Sequence, residues 1–176
     1  IITTPMSREL LTSYQELGVV FISTRTIGYD HLPVDVVKEL GLHAANVTYS
    51  TSSVADYTIM LMLMAIRKVK KIARRSMTQN FTLEGVRGRD LNELTVGVIG
   101  TGHIGRTVIR RLSAFDCNIL AYDSFPTAQI EPATYVALPE LLQKSDSVTL
   151  HGPSLPQNAK LIDREAFQIR KDGAVL

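Results

Sequence analysis

At 176 residues, the chain has room for one domain or two small ones, with enough apolar mass to bury a core. Its 45% hydrophobic and 20% charged residues exclude a disordered tail, and a formal charge of +2 gives no reason to expect nucleic acid as a partner. The single cysteine, Cys117, excludes an internal disulfide and fits a reducing, cytoplasmic setting; the longest apolar stretch, IMLMLMAI at 59–66, is far short of the roughly 20 residues that span a bilayer.

The chain opens in midstream, IITTPMSRELL, and stops at KDGAVL, an apolar run that reads as a strand just begun. It therefore reads as a piece of a longer protein, truncated at both ends. Apolar residues at Leu10, Leu11, Tyr14 and Leu17 keep helical spacing over 7–17, and Gly18 is a good helix stop. VVFIS, 19–23, suits a buried strand. The loop TRTIGYDHLP follows, with Pro33 placed to open the helix VDVVKELG. AANV is a weak strand and TYSTSS is polar. Ser53 and Asp56 form a capping-box-like start to one long helix over 54–75.

The first half of that helix is apolar all round, which predicts burial on every side or a place in an interface. Its second half, RKVKKIARR, is basic. Without interleaved aromatics, it reads as a solvated helix C-terminus favoured by the macrodipole rather than as a nucleic-acid stripe. The less hydrophobic QNFTLEGVRGRDLNEL marks a domain junction, giving domains at 1–75 and 76–176. After it the pattern alternates: strand 95–100, helix 103–116, strand 118–122, helix 138–144, strand 146–150, helix 163–169, strand 173–176. Such alternation predicts an α/β fold with a doubly wound parallel sheet.

Gly100-Thr-Gly102-His-Ile-Gly105 matches G-x-G-x-x-G where a continuous apolar strand runs into a helix. Gly100 permits the tight turn, Gly102 lets backbone approach a pyrophosphate, and Gly105 lets helix and strand pack closely. The helix start offers unpaired N–H groups to phosphates. The next strand ends in Asp123, eighteen residues past Gly105, where a carboxylate accepts ribose hydroxyls and repels a 2′-phosphate. The expected cofactor is thus NAD rather than NADP. The third strand ends at His151-Gly152-Pro153, where strand ends border the ligand crevice, and His151 reads as a wall of the cofactor site rather than as a proton donor. No metal site is expected.

TVGVIGTGHIG, AYD, VTLHGP…N…LID and the upstream STRTIGYDHL together resemble the D-isomer-specific 2-hydroxyacid dehydrogenases, across essentially the whole chain. Within that family the blocks YSTSSVADYTIMLMLMAIR and NFTLEGVRGRDLNELTVGVIGTGHIG are most similar to the D-lactate dehydrogenases of vancomycin-resistance clusters. The resemblance implies a Rossmann NAD-binding domain with part of a flavodoxin-like substrate domain, and a homodimer to which the long apolar helix contributes. It also implies reduction of a small 2-keto acid, pyruvate, to D-lactate, which would supply D-alanyl-D-lactate cell-wall precursors.

By position, the resemblance assigns the phosphate cradle to His103 and Ile104 with the three glycines, and the ribose contact to Asp123. Gly152 and Pro153 fall where the family lines adenine and ribose, and Asn158 where it makes a further cofactor contact. Ile27 and Gly28 match backbone amides that hold the substrate carboxylate, and Tyr49 a phenol that reaches the substrate; Arg25, beside them, reads as structural. The catalytic arginine, glutamate and histidine are expected beyond Leu176, so no catalytic residue is assigned and this chain alone is expected to be inactive. Three positions depart from the pattern: Gly152 for a bulkier apolar residue, Thr51 for a proline, and Pro33 for Asp or Thr. Two alternatives stay open, an NAD-binding co-repressor on the same fold and a sister dehydrogenase for phosphoglycerate or formate.

Overall fold

The computed structural model describes residues 4–126, 129–152 and 161–176. The chain divides into two compact units, with the boundary in the main path between Ser50 and Thr51.

The first unit begins with α1 (Arg8–Glu16), whose Ser7 side chain caps the Leu10 N–H. Gly18, at φ +85°, ends it as expected. Strands β1 (Phe21–Ser23) and β2 (His43–Ala45) pair in parallel through α2 (Val34–Glu39), which starts just after Pro33. Met6, Leu11, Ile22, Leu32, Val37 and Leu42 form its core.

In the second unit, α3 (Ser52–Ile66) and α4 (Val69–Ser76) replace the single helix expected over 54–75. The break falls at Lys68, which takes a left-handed φ of +53° that no continuous helix permits. The capping box at Ser53 and Asp56 does not form. The helix starts two residues earlier, Thr51 bonds to Thr107 Oγ1 at 2.8 Å, and Asp56 pairs with Arg111 at 2.8 Å.

Four parallel strands follow: β3 (Thr95–Ile99), β4 (Asn118–Tyr122), β5 (Thr134–Tyr135) and β6 (Ser147–Leu150), in the order β5-β4-β3-β6. The connecting helices are α5 (His103–Leu112), α6 (Leu138–Lys144) and α7 (Arg164–Gln168). Strand β5 was not anticipated, being only two residues long. The strand expected at 173–176 is reduced to a single parallel bridge between Val175 and Ser147.

Alternation along the strands covers both faces of the sheet. Val96, Val98, Ile119 and Ala121 pack into one core with α3 and α5; Ile99 and Leu120 pack into another with Leu141, Leu142 and Val148. The compact units divide at 50/51, whereas the sequence places the domain junction at 75/76. Ala55, Ile59, Met62 and Ile66 of α3 share the core of α5, β3 and β4, so the long helix goes with the second unit. The burial expected for α3 holds on one face only. Tyr57, Met60, Leu61 and Met64 are exposed by 38–59%.

Candidate cofactor site

The glycine turn lies where the sheet order reverses. From β3 the chain moves outward to β4 and β5, then returns to β6 on the other side of β3. Gly100 N–H donates to Tyr122 O at 2.8 Å, and His151 N–H donates to Ile99 O at 2.7 Å, so the turn sits between the carboxyl ends of β4 and β6. In a doubly wound sheet this switch point is the ligand crevice.

Each glycine has its own reason. Gly100 has φ +87°, and a Cβ on it would stand 2.6 Å from Gly152 N and 2.8 Å from His151 C. A Cβ on Gly105 would collide with the carbonyl of Gly100, which is the close helix–strand packing the motif requires. Gly102 has an ordinary φ of −68°, and a Cβ there would meet nothing within 4 Å among the described residues. Its surroundings leave room for a ligand. No side chain caps α5 at Gly102, so the first turn keeps its positive dipole end for an anion. His103 is exposed beside it and Ile104 packs partly against the core.

Asp123, one residue past β4, is tied to the same turn. Its Oδ2 accepts from Thr101 N–H at 2.6 Å and from Thr101 Oγ1 at 3.0 Å, while Oδ1 accepts from Phe125 N–H at 2.9 Å. Burial pushes this carboxyl up, but the hydrogen bonds from Phe125 and Thr101, helped by the charge of Arg106, outweigh it and hold the pKa below the ordinary value. The group is ionised at neutral pH and fixed in direction. With about four acceptor positions on a carboxylate and three donors in place, it retains capacity for a further hydroxyl.

His151 is half-buried and its Nε2 lies 3.0 Å from Thr149 Oγ1. Burial lowers its pKa, so the ring is neutral at pH 7. Gly152, noted for its small size, has open space. Among the described residues a Cβ there would meet only Leu150 Cδ1 at 3.9 Å. Pro153 and Asn158 lie outside the described residues.

Gly100, Gly102, Gly105, Asp123, His151 and Gly152 are thus brought together around the carboxyl ends of β3, β4 and β6. Two grooves of about 450 and 860 Å³ run along α4 instead, and none of their lining residues belongs to the glycine turn.

In the first unit, Ile27 and Gly28 follow the carboxyl end of β1 in a loop held by side-chain hydrogen bonds. Thr24, 1% exposed, donates Oγ1 to Thr26 O at 2.9 Å; Asn46 Nδ2 donates to Ile27 O at 2.8 Å; Thr26 Oγ1 donates to Gly28 O at 2.6 Å. Three consecutive carbonyls are engaged, which orders the peptide planes that carry the Ile27 and Gly28 N–H groups. Thr24, Thr26 and Asn46 were not singled out in the sequence. Asn46 is remote in sequence from the loop that it holds, and nothing in the local pattern marks it. Tyr49 and Arg25 are both exposed, and Arg25 takes no part in this network.

The profile of the D-isomer specific 2-hydroxyacid dehydrogenase NAD binding domain matches residues 59–176. The chain belongs to this dehydrogenase family. As a member of that family it carries an α/β parallel-sheet NAD-binding domain, and its cofactor is NAD. It is 46% identical over 171 residues to the D-specific alpha-keto acid dehydrogenase of Enterococcus faecalis, covering 97% of this chain and 52% of that one. The D-lactate dehydrogenase of Escherichia coli is 36% identical over 173 residues, with 97% and 53% covered. The crystal structure of D-lactate dehydrogenase from Aquifex aeolicus complexed with NAD and lactic acid superposes with a TM-score of 0.88 at 33% identity, over 95% of this chain and 51% of that one. The chain spans about half the length of the curated relatives it matches. No helix among the described residues is long and apolar enough to cross a membrane.

Proposed function

We propose that the protein containing this chain is a cytoplasmic enzyme that reduces a 2-keto acid, pyruvate foremost, to the D-2-hydroxy acid. The observation that carries the reading is the anchored carboxylate of Asp123 beside an uncapped, glycine-opened helix. NADH supplies the hydride when bound. The backbone N–H groups around Gly100, Gly102, His103, Ile104 and Gly105 hold its pyrophosphate, and Asp123 accepts the adenosine ribose hydroxyls. His151, Gly152 and Pro153 wall the cofactor, and Asn158 adds a further contact.

On the substrate side, the Ile27 and Gly28 N–H groups receive the carboxylate and Tyr49 donates a hydrogen bond. The ordered carbonyls of residues 26–28 support this role, because a donor loop held in place binds an anion without first losing its own freedom. The carboxylate-clamping arginine and the proton-donating histidine with its glutamate belong, in this reading, to residues beyond Leu176. The bare apolar face of α3 supports assembly as a homodimer. The resemblance of the 49–67 and 80–105 blocks to the enzymes of vancomycin-resistance clusters supports D-lactate supply for D-alanyl-D-lactate precursors as the physiological role.

The test is NADH oxidation by the full-length protein across a panel of 2-keto acids, with the configuration of the product determined. Pyruvate is expected among the good substrates and D-lactate as its product. A protein that binds NADH and leaves the whole panel unreduced would overturn the reading.

A further inference from the structure

Asp123 is held by groups that the glycine motif does not specify. Thr101 occupies a variable position of the motif and is 2% exposed; its hydroxyl lies 3.0 Å from Asp123 Oδ2 and 2.8 Å from the phenol oxygen of Tyr135 on β5. An ionised carboxylate only accepts, and a threonine hydroxyl has one proton to give. The direction is therefore forced: Tyr135 donates to Thr101, and Thr101 donates to Asp123. Each link polarises the next, which strengthens the bond that reaches the carboxylate.

The chain of donors acts on one oxygen. Oδ2 receives both the N–H and the hydroxyl of Thr101, whereas Oδ1 receives only the Phe125 N–H. The carboxylate plane is fixed, and the less engaged oxygen is the one left to accept from a ligand. A cation is also close: Arg106 Nε donates to Thr101 O at 2.9 Å, and its charge is felt by Asp123. A carboxylate free to swing away would leave a phosphate group facing a guanidinium rather than a fixed negative charge.

We propose that Thr101 and Tyr135 are positioning residues that set the preference for NAD over NADP by fixing Asp123. This rests on the reading of Asp123 as the ribose carboxylate. Neither side chain is required to touch the cofactor.

The test is direct binding of NADH and NADPH to the full-length protein, followed by nicotinamide fluorescence, so that it does not depend on turnover of any keto acid. Asp123→Ala is expected to abolish most of the discrimination between the two. Thr101→Val keeps the N–H and the shape but removes the hydroxyl. It should narrow the ratio of dissociation constants by about tenfold, the scale of one hydrogen bond to a charged group, and Tyr135→Phe by about threefold. Thr101→Ser should restore the wild-type ratio. In the Asp123→Ala background, Thr101→Val should change the ratio no further.

An unchanged ratio in both Thr101→Val and Tyr135→Phe, with Asp123→Ala narrowing it, would overturn the positioning role and leave the ribose assignment standing. An equal effect of Thr101→Val with and without Asp123 would overturn it too. An unchanged ratio in Asp123→Ala would remove the ribose assignment and this proposal together. Tyr135→Phe, which retains the ring in the core, carries the test where Thr101→Val does not fold.

Discussion

Two glycines of one motif are expected to respond oppositely to the same added methyl group. Gly105→Ala drives Cβ into the Gly100 carbonyl, and the backbone of the turn has to move; a loss of about 3 kcal/mol in stability is expected, with NADH binding lost alongside. Gly102→Ala meets nothing within 4 Å among the described residues and keeps an allowed φ, so the fold should hold within about 1 kcal/mol. Its methyl group instead occupies the space assigned to the pyrophosphate, and NADH affinity should fall by about tenfold or more. Thermal unfolding and NADH titration of both variants separate the two effects; equal stabilities would contradict the packing argument.

The loop proposed to hold the substrate gives a second residue-scale expectation. Asn46→Ala frees the Ile27 carbonyl, and in the full-length enzyme KM for the keto acid should rise by about tenfold with kcat and NADH affinity nearly unchanged. Much of this site was legible beforehand. The three glycines and Asp123 are fixed by spacing along one strand–helix–strand unit, which a pattern can show. Thr101, Tyr135, Thr24 and Asn46 act through hydrogen bonds to residues placed by tertiary structure, and side-chain bonds of that kind leave no periodicity in the sequence.

Among the elements, α3 shows how far composition reaches. Its uniformly apolar first half signalled burial on every side or an interface, and within this chain the row Ala55, Ile59, Met62, Ile66 is the one that is buried. The opposite row, Tyr57, Met60, Leu61 and Met64, is what a partner subunit would cover. Leu61→Glu should raise the dimer dissociation constant of the full-length protein by about 100-fold, from lost burial and an unpaired buried charge. Sedimentation velocity over a dilution series measures this, and an unchanged association would exclude that face.

The basic half of the expected helix turned out differently. Lys71 donates to Gly85 O at 3.0 Å, Arg75 to Glu84 O at 2.6 Å, and Arg67 pairs with Asp90 at 2.8 Å. These cations hold the segment that leads into β3. The sequence showed charge and helical propensity but not the left-handed Lys68, since a single φ reversal in a lysine has no compositional signature.

For the second unit as a whole, Asp146 is the fastener. Its largely buried carboxylate pairs with Arg89 at 3.0 Å and Lys171 at 3.1 Å, and accepts from Thr95 N–H at 3.0 Å, joining the lead-in to β3, the start of β6 and the turn after α7. Burial pushes this carboxyl up, but the Thr95, Lys171 and Arg89 interactions outweigh it and lower its pKa, as happens at Asp123. A carboxyl lowered in the folded state contributes stability above its unfolded value and loses it as pH falls through the folded value. Stability should therefore hold down to the ordinary carboxylate pKa of 3.8 and decline below it. Asp146→Ala should remove about 2 kcal/mol at neutral pH and flatten that acid limb, as measured by urea unfolding across pH. A variant as stable as wild type would show the three partners to be solvated at no loss. None of this was read from the sequence, because Arg89, Asp146 and Lys171 are far apart along the chain and meet only in the finished sheet.

A sheet with no antiparallel neighbours also has no short route to its own assembly. Strand β3 gains β4 only after α5 is in place, and gains β6 only after β4, β5 and α6 have been laid down on the far side. High contact order of this kind slows folding, because loop-closure entropy is lost before the long-range contacts form. Until β6 arrives, TVGVI displays one unpaired, largely apolar edge, so a nascent chain stalled before Ser147 is expected to be exposed to chaperones and prone to aggregate.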